Sequence, residues 1–288
     1  METKDLLEQE KKSHKLNKQE EKEAKSLQAQ SSKALKKRES RYQKLRKLAK
    51  KRKAKKELKK MMAPIKAEKR ARREYYRSLS NPPVRPVLEE IGNAVTHGVG
   101  ALLAIAALTF LLLNSTSTLE ILASCVYGIC MFIMMLMSCL YHSFKSGSRV
   151  KRIWRRFDYS SIYLLIGGTF APIYLVYLGN TLGITLFIVQ WFFIIVGITF
   201  VAVFGPGRFK PFHYTMYFAI GWSGLMFIPD FIKNNINLLW MILIGGLAYT
   251  VGMIPFAKKG SKCSHFIWHF FVLVGALVQY LGILFYIY

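Results

Sequence analysis

The chain of 288 residues carries 42 Lys and Arg against 16 Asp and Glu, a formal charge of +26, yet 52% of its residues are hydrophobic. The two properties are segregated: residues 1–80 hold 29 of the basic and 11 of the acidic side chains and no glycine, phenylalanine or tryptophan. This excludes one soluble globular domain, and four cysteines without a CxxC pair exclude a disulfide framework and a thiolate metal site.

Residues 1–80 are rich in Lys, Glu, Ala and Leu and meet no helix breaker before Pro64, so helix is locally favoured. The leucines sustain no heptad, which predicts a solvated, partly formed helix. The basic density of "KKRKAKKELKK", residues 50–60, suits contact with anionic lipid headgroups. Cationic charge also suits nucleic acid, but with almost no aromatic side chains to stack on bases no specific nucleic-acid partner is expected. The first residues are charged and lack a basic, apolar, small-residue order, so the extension is expected to stay on the chain.

A Pro-rich hinge, "NPPVRP", opens the stretch 81–90, and residues 91–288 form the second part. Seven apolar runs follow, near 91–113, 120–143, 159–178, 182–204, 212–229, 238–256 and 264–287, each close to the roughly 20 residues that cross a bilayer as helix. The predicted fold class is all-α: a seven-transmembrane helix bundle with a basic, partly helical cytoplasmic extension. Basic residues concentrate in the second, fourth and sixth connections, with six, two and three, against none, none and one in the first, third and fifth. The positive-inside rule then predicts a multi-pass protein of the cell membrane with a cytoplasmic N-terminus and the C-terminus outside.

That topology puts five histidines at one end of the bundle. His97 lies early in the first run, His142 ends the second, His213 starts the fifth, and His265 and His269 open the seventh. His265 and His269 are spaced i, i+4, so they share one helix face and can hold one ion. Polar groups inside membrane helices are costly and usually functional. Three imidazoles leaving one position open are the ligand set of a catalytic zinc site, with His142, His265 and His269 as candidates. Asp158, entering the third helix at the same depth, could orient or deprotonate water, or could pair with Arg155 or Arg156. Ser138, four residues before His142, could support the site by a hydrogen bond or could bond back to its own helix. His213 reads as an interfacial histidine.

The segments "EEIGNAVTHGVGALLAIAAL", "SCLYHSF", "RRFDYSSIYLLIGGTFAPIYL" and "SHFIWHFFVLVGALVQYLGI" resemble, in order, those of the hemolysin III family, within the progestin and adipoQ receptor superfamily. The resemblance runs from residue 85 to 288 and leaves the extension outside. It implies seven helices, a cytoplasmic N-terminus and Zn2+ near the inner leaflet on His142, His265 and His269, with Asp158 beside it. Glu90, Asn93 and His97 match the E-x-x-N-x-x-x-H segment, as a helix-capping or bundle-locking cluster or a catalytic one. The superfamily's wider kin include ceramidases that cleave a lipid amide. The expected activity is therefore zinc-dependent hydrolysis of a lipid amide or ester, with Asp158 and Ser138 as catalytic candidates. Cytolytic pore formation and non-enzymatic sensing of membrane lipids are the alternatives.

Overall fold

The computed structural model describes residues 2–48, 52–257 and 263–288. Part of the basic run 50–60 and the expected basic loop 258–262 lie outside these residues. Two compact units divide the chain, Met1–Tyr75 and Tyr76–Tyr288.

In the first unit the chain is helical through α1 (Glu2–Leu48) and into α2 (Arg52–Leu79). Pro64 sits inside α2 without ending it, at the cost of one backbone hydrogen bond. Leu35 and Ile65 are buried, Ser31 Oγ donates to Glu68 Oε1 at 2.6 Å, and Lys69 pairs with Glu39. The two helices are thus tied to each other, where the sequence suggested one solvated helix. Among the described side chains only Leu35 and Ile65 of these helices are fully buried apolar ones, too few to announce the pairing as a heptad.

The second unit is a helical bundle made of α3 (Val87–Asn114), α4 (Thr118–Ser143), α5 (Arg149–Ala171), α6 (Thr181–Phe204), α7 (Lys210–Gly221), α8 (Ile228–Asn234), α9 (Ile236–Ala257) and α10 (Ser264–Tyr286). α5 runs on as a π-helical turn, Pro172–Leu178, and α7 reaches α8 through a 3-10 turn, Ser223–Phe227. Counted with these continuations, seven helices among the described residues are long and apolar enough to cross a membrane.

Local chemistry fixes the ends. Ser117 and Glu120 form a reciprocal capping box at the start of α4, and Asn180 Oδ1 accepts the Gly183 N–H at 2.9 Å to start α6. The apolar α9–α10 pair has no hydrophobic gain over lipid, so close approach must hold it. Gly245 lies against Gln279, Gly252 against Phe271, Gly275 against Tyr249 and Gly282 against Met241. α3 packs between α4 and α10, and α5 packs on α4.

Two boundaries differ from the sequence reading. α3 begins at Val87, so Glu89 and Glu90 are helical and not part of a hinge. α5 begins at Arg149, nine residues before Asp158, because Ser148 Oγ caps it by accepting the Lys151 N–H at 3.0 Å. Counting apolar residues excluded Arg149–Phe157, but a basic helical turn can face inward where acceptors wait. Lys151 and Arg155, four apart, are both buried.

Candidate metal centre

Four helix ends converge at the basic end of the bundle: the starts of α3, α5 and α10 and the end of α4. On α4 Ser138 and His142 lie one turn apart, and on α10 His265 and His269 do the same, so each pair presents one face. His142, His265 and His269 are buried, and each offers a ring nitrogen within 4.8 Å of the others. His142 Nε2 stands 3.2 Å from His265 Nε2. Two imidazoles bound at about 2.0–2.1 Å to a tetrahedral ion would hold their nitrogens roughly 3.3 Å apart. His142 and His265 already stand at that spacing, and His269 is close enough for the three together to hold a metal ion.

The other face of His142 fixes which nitrogen is free. Its Nδ1 lies 2.5 Å from Glu90 Oε2. A carboxylate oxygen only accepts, so Nδ1 carries the proton and Nε2 keeps its lone pair for a metal. Lys151 Nζ holds the same Glu90 oxygen at 3.0 Å, donates to the Phe144 carbonyl at 2.9 Å and faces the Tyr141 ring at 5.0 Å. Asn93 Nδ2 comes within 3.4 Å of His142 Nδ1. His97 stacks on His269 with ring centroids 3.8 Å apart and planes 18° from parallel. Both His97 nitrogens and His269 Nδ1 are buried without a hydrogen-bond partner, as are Glu90 Oε1 and Asn93 Oδ1. Such a concentration of unmet polar atoms around three imidazoles fits a polar guest.

Asp158 is half-buried, interacts electrostatically with His142 and Ser138, and lines a cavity of about 120 Å³ with Ser138, His97, His265 and His269. Away from the histidines the walls are mostly apolar, with Met134, Leu165, Phe170 and Val272 among them. Arg155 Nη1 donates to the Asn81 carbonyl at 2.8 Å and Arg156 Nη1 to that of Ala202 at 2.5 Å, so both arginines have backbone partners. Among the described residues Asp158 forms no ion pair with either.

The centre thus brings together every residue that the sequence singled out except His213. That histidine is buried apart from the centre: its Nδ1 meets Tyr163 Oη at 2.8 Å, and a glycine at 197 gives the Tyr163 ring its room. Glu90, Asn93 and His97, whose part was open, surround the three histidines. Lys151 was missed, having been counted as one of six loop cations. Its only signal was its place one helical turn before Arg155 in a segment without Gly or Pro.

Residues 86–280 match the family model described as "Haemolysin-III related". The chain belongs to the haemolysin III family. It is 37% identical over 205 residues to Hemolysin-3 of Bacillus cereus, covering 70% of this chain and 93% of that one. It is 36% identical over 204 residues to the Hemolysin-3 homolog of Bacillus subtilis (strain 168), covering 69% of this chain and 95% of that one. All residues of the metal centre fall within the family match; the extension up to residue 80 falls outside it.

Proposed function

We propose that this haemolysin III protein is a zinc-dependent membrane hydrolase that cleaves a lipid amide or ester at the end of the bundle where its basic residues gather. The observation that carries this reading is the position of three buried imidazoles beside a carboxylate at the head of an apolar cavity. Neutral nitrogen ligands with one position left open suit Zn2+ better than the oxygen-seeking Mg2+ or Ca2+. Zinc, when bound, supplies Lewis acidity toward a carbonyl and makes water a nucleophile near neutral pH.

In this reading the protein's own groups do the rest. His142, His265 and His269 hold the ion, and Glu90, pinned by Lys151, keeps the His142 ring in the binding tautomer. The apolar walls take a lipid chain and leave its carbonyl at the histidines. Asp158 accepts the proton of the attacking water, then delivers it to the departing nitrogen or oxygen as that atom's bond to the carbonyl carbon breaks. Ser138 orients the Asp158 carboxylate. In this reading the centre and the N-terminus face the cytoplasm, a placement that the loop charges support.

A second reading takes its support from the relatives' name: cytolysis. A water-filled pore needs a continuous polar stripe, and the exposed face of α6 is apolar along its length, through Ile184, Ile188, Phe192 and Ile195. Purified protein assayed for metal and for turnover of ceramide, phospholipid and acyl-amide panels decides between the two. About one zinc per chain with turnover supports the hydrolase. A full metal complement with no turnover on any panel, together with lysis of vesicles, overturns it.

A further inference from the structure

Three arginines near the start of α3 and along α5 have buried donors with no partner among the described residues. Arg155 is only 4% exposed; one of its nitrogens reaches the Asn81 carbonyl, but its Nε is buried without a partner. Arg85 approaches Glu89 only at 3.9 Å, and its Nη1 is buried and unpaired. Arg152 Nε is a third. A buried guanidinium N–H without an acceptor is costly, so such groups persist where an acceptor arrives from outside.

Two of these arginines converge on the centre from different elements. Arg85 precedes α3 and Arg155 lies on α5, yet both act electrostatically on Asp158, His265 and Tyr141. The other cation close by, Lys151, is consumed by Glu90 and the Phe144 carbonyl. The open donors therefore belong to planar, forked groups whose preferred partners are carboxylate and phosphate. Both arginines lie at helix starts of the bundle's basic end, which the proposed topology sets near the level of the lipid phosphates.

We propose that Arg85 and Arg155 form a headgroup subsite for the phosphate of a lipid, so that the ligand of this centre is a phosphate-bearing lipid and not a neutral one. The phosphate accepts from both guanidinium groups, Arg152 adds to the field, and the chains extend from there into the apolar cavity. This rests on the hydrolase reading for its meaning as a substrate site, but not for its test.

The purified full chain is exchanged into vesicles containing phosphatidic acid and diacylglycerol of identical chains, which differ only in the phosphate. Retained lipid is then measured by mass spectrometry, and metal content alongside it. The expected result is enrichment of phosphatidic acid by about 10-fold or more, lost in Arg85→Gln and Arg155→Gln and kept in the exposed control Arg149→Gln, with metal unchanged throughout. If Arg155→Gln does not insert, Arg155→Lys keeps the charge and the bond to Asn81 but not the fork, and loses part of the enrichment. Inorganic phosphate should not displace the lipid; displacement would make the site one for free phosphate and overturn the proposal. Equal retention of the two lipids, or equal loss in the Arg149 control, also overturns it. Enrichment without turnover on any panel sinks the hydrolase alone, and turnover without enrichment sinks the subsite alone.

Discussion

Glu90 Oε2 lies 2.5 Å from His142 Nδ1, and so a residue of the first membrane helix sets the chemistry of the last residue but one of the second. Losing this carboxylate frees the ring to turn or to change tautomer. Glu90→Gln is expected to lower zinc affinity by roughly 10- to 100-fold, as losing a ligand's supporting carboxylate does. Competition with a chelator of known affinity reads it. Lys151→Met is expected to give a similar loss, and unchanged affinity in both would separate Glu90 from the metal.

Asp158→Asn removes the base while keeping size and one oxygen. Zinc content is expected to stay near wild type while turnover falls by about 100-fold or more. Equal loss of zinc would make Asp158 a ligand, and unchanged turnover would take it out of the reaction.

His97 supports His269 through a ring face, and among the described residues neither of its nitrogens has a hydrogen-bond partner. His97→Phe preserves the stacking surface, whereas His97→Ala leaves a hole beside the ligand. Zinc affinity is expected to drop clearly more in the alanine variant. An equal drop in both would point to a polar role for the His97 ring.

Cys263 is exposed and begins α10 at the basic end. With Cys125, Cys130 and Cys139 changed to Ala, a membrane-impermeant maleimide should label intact cells poorly and permeabilised cells well. Labelling of intact cells would reverse the proposed orientation.

The extension should be removable only up to a point. Gly207 has Leu79's carbonyl where a side chain would stand, Arg208 covers the Tyr76 ring at 4.1 Å, and Gly205 lies against Ser80. Deleting residues 2–75 is expected to leave thermal stability and zinc content close to wild type. Deleting 2–80 also strips these contacts and should lower the melting temperature by several degrees. Equal behaviour of the two truncations would show that Tyr76–Ser80 contribute nothing to the bundle.

Much of this was legible in the sequence because the bilayer leaves few options: a run of apolar residues must be helix, and its polar exceptions stand out. His142, His265 and His269 are such exceptions, and the i, i+4 spacing of His265 and His269 gave the face those two share. What surrounds them was harder to read. Lys151 and Arg155 are buried through their heads as well as their stems, so their charge argued for a loop when local capping by Ser148 argued for helix. His213 looked like the other four because depth is visible in sequence and rotation about the bundle axis is not. The broken fifth span, with its 3-10 turn at Ser223–Phe227, carries no proline at the break itself; Pro229 follows it in the first turn of α8.

His142 and His265 are 123 residues apart, and Glu90 and His97 lie earlier still. During synthesis the first two membrane helices carry one of the three candidate histidines, and the other two emerge only with the seventh. No nascent fragment can capture the ion by itself. In the proposed reading metal loading is therefore a checkpoint on assembly: it would close a loop of 123 residues, tie the second membrane helix to the seventh, and mark a bundle whose distant parts have come together.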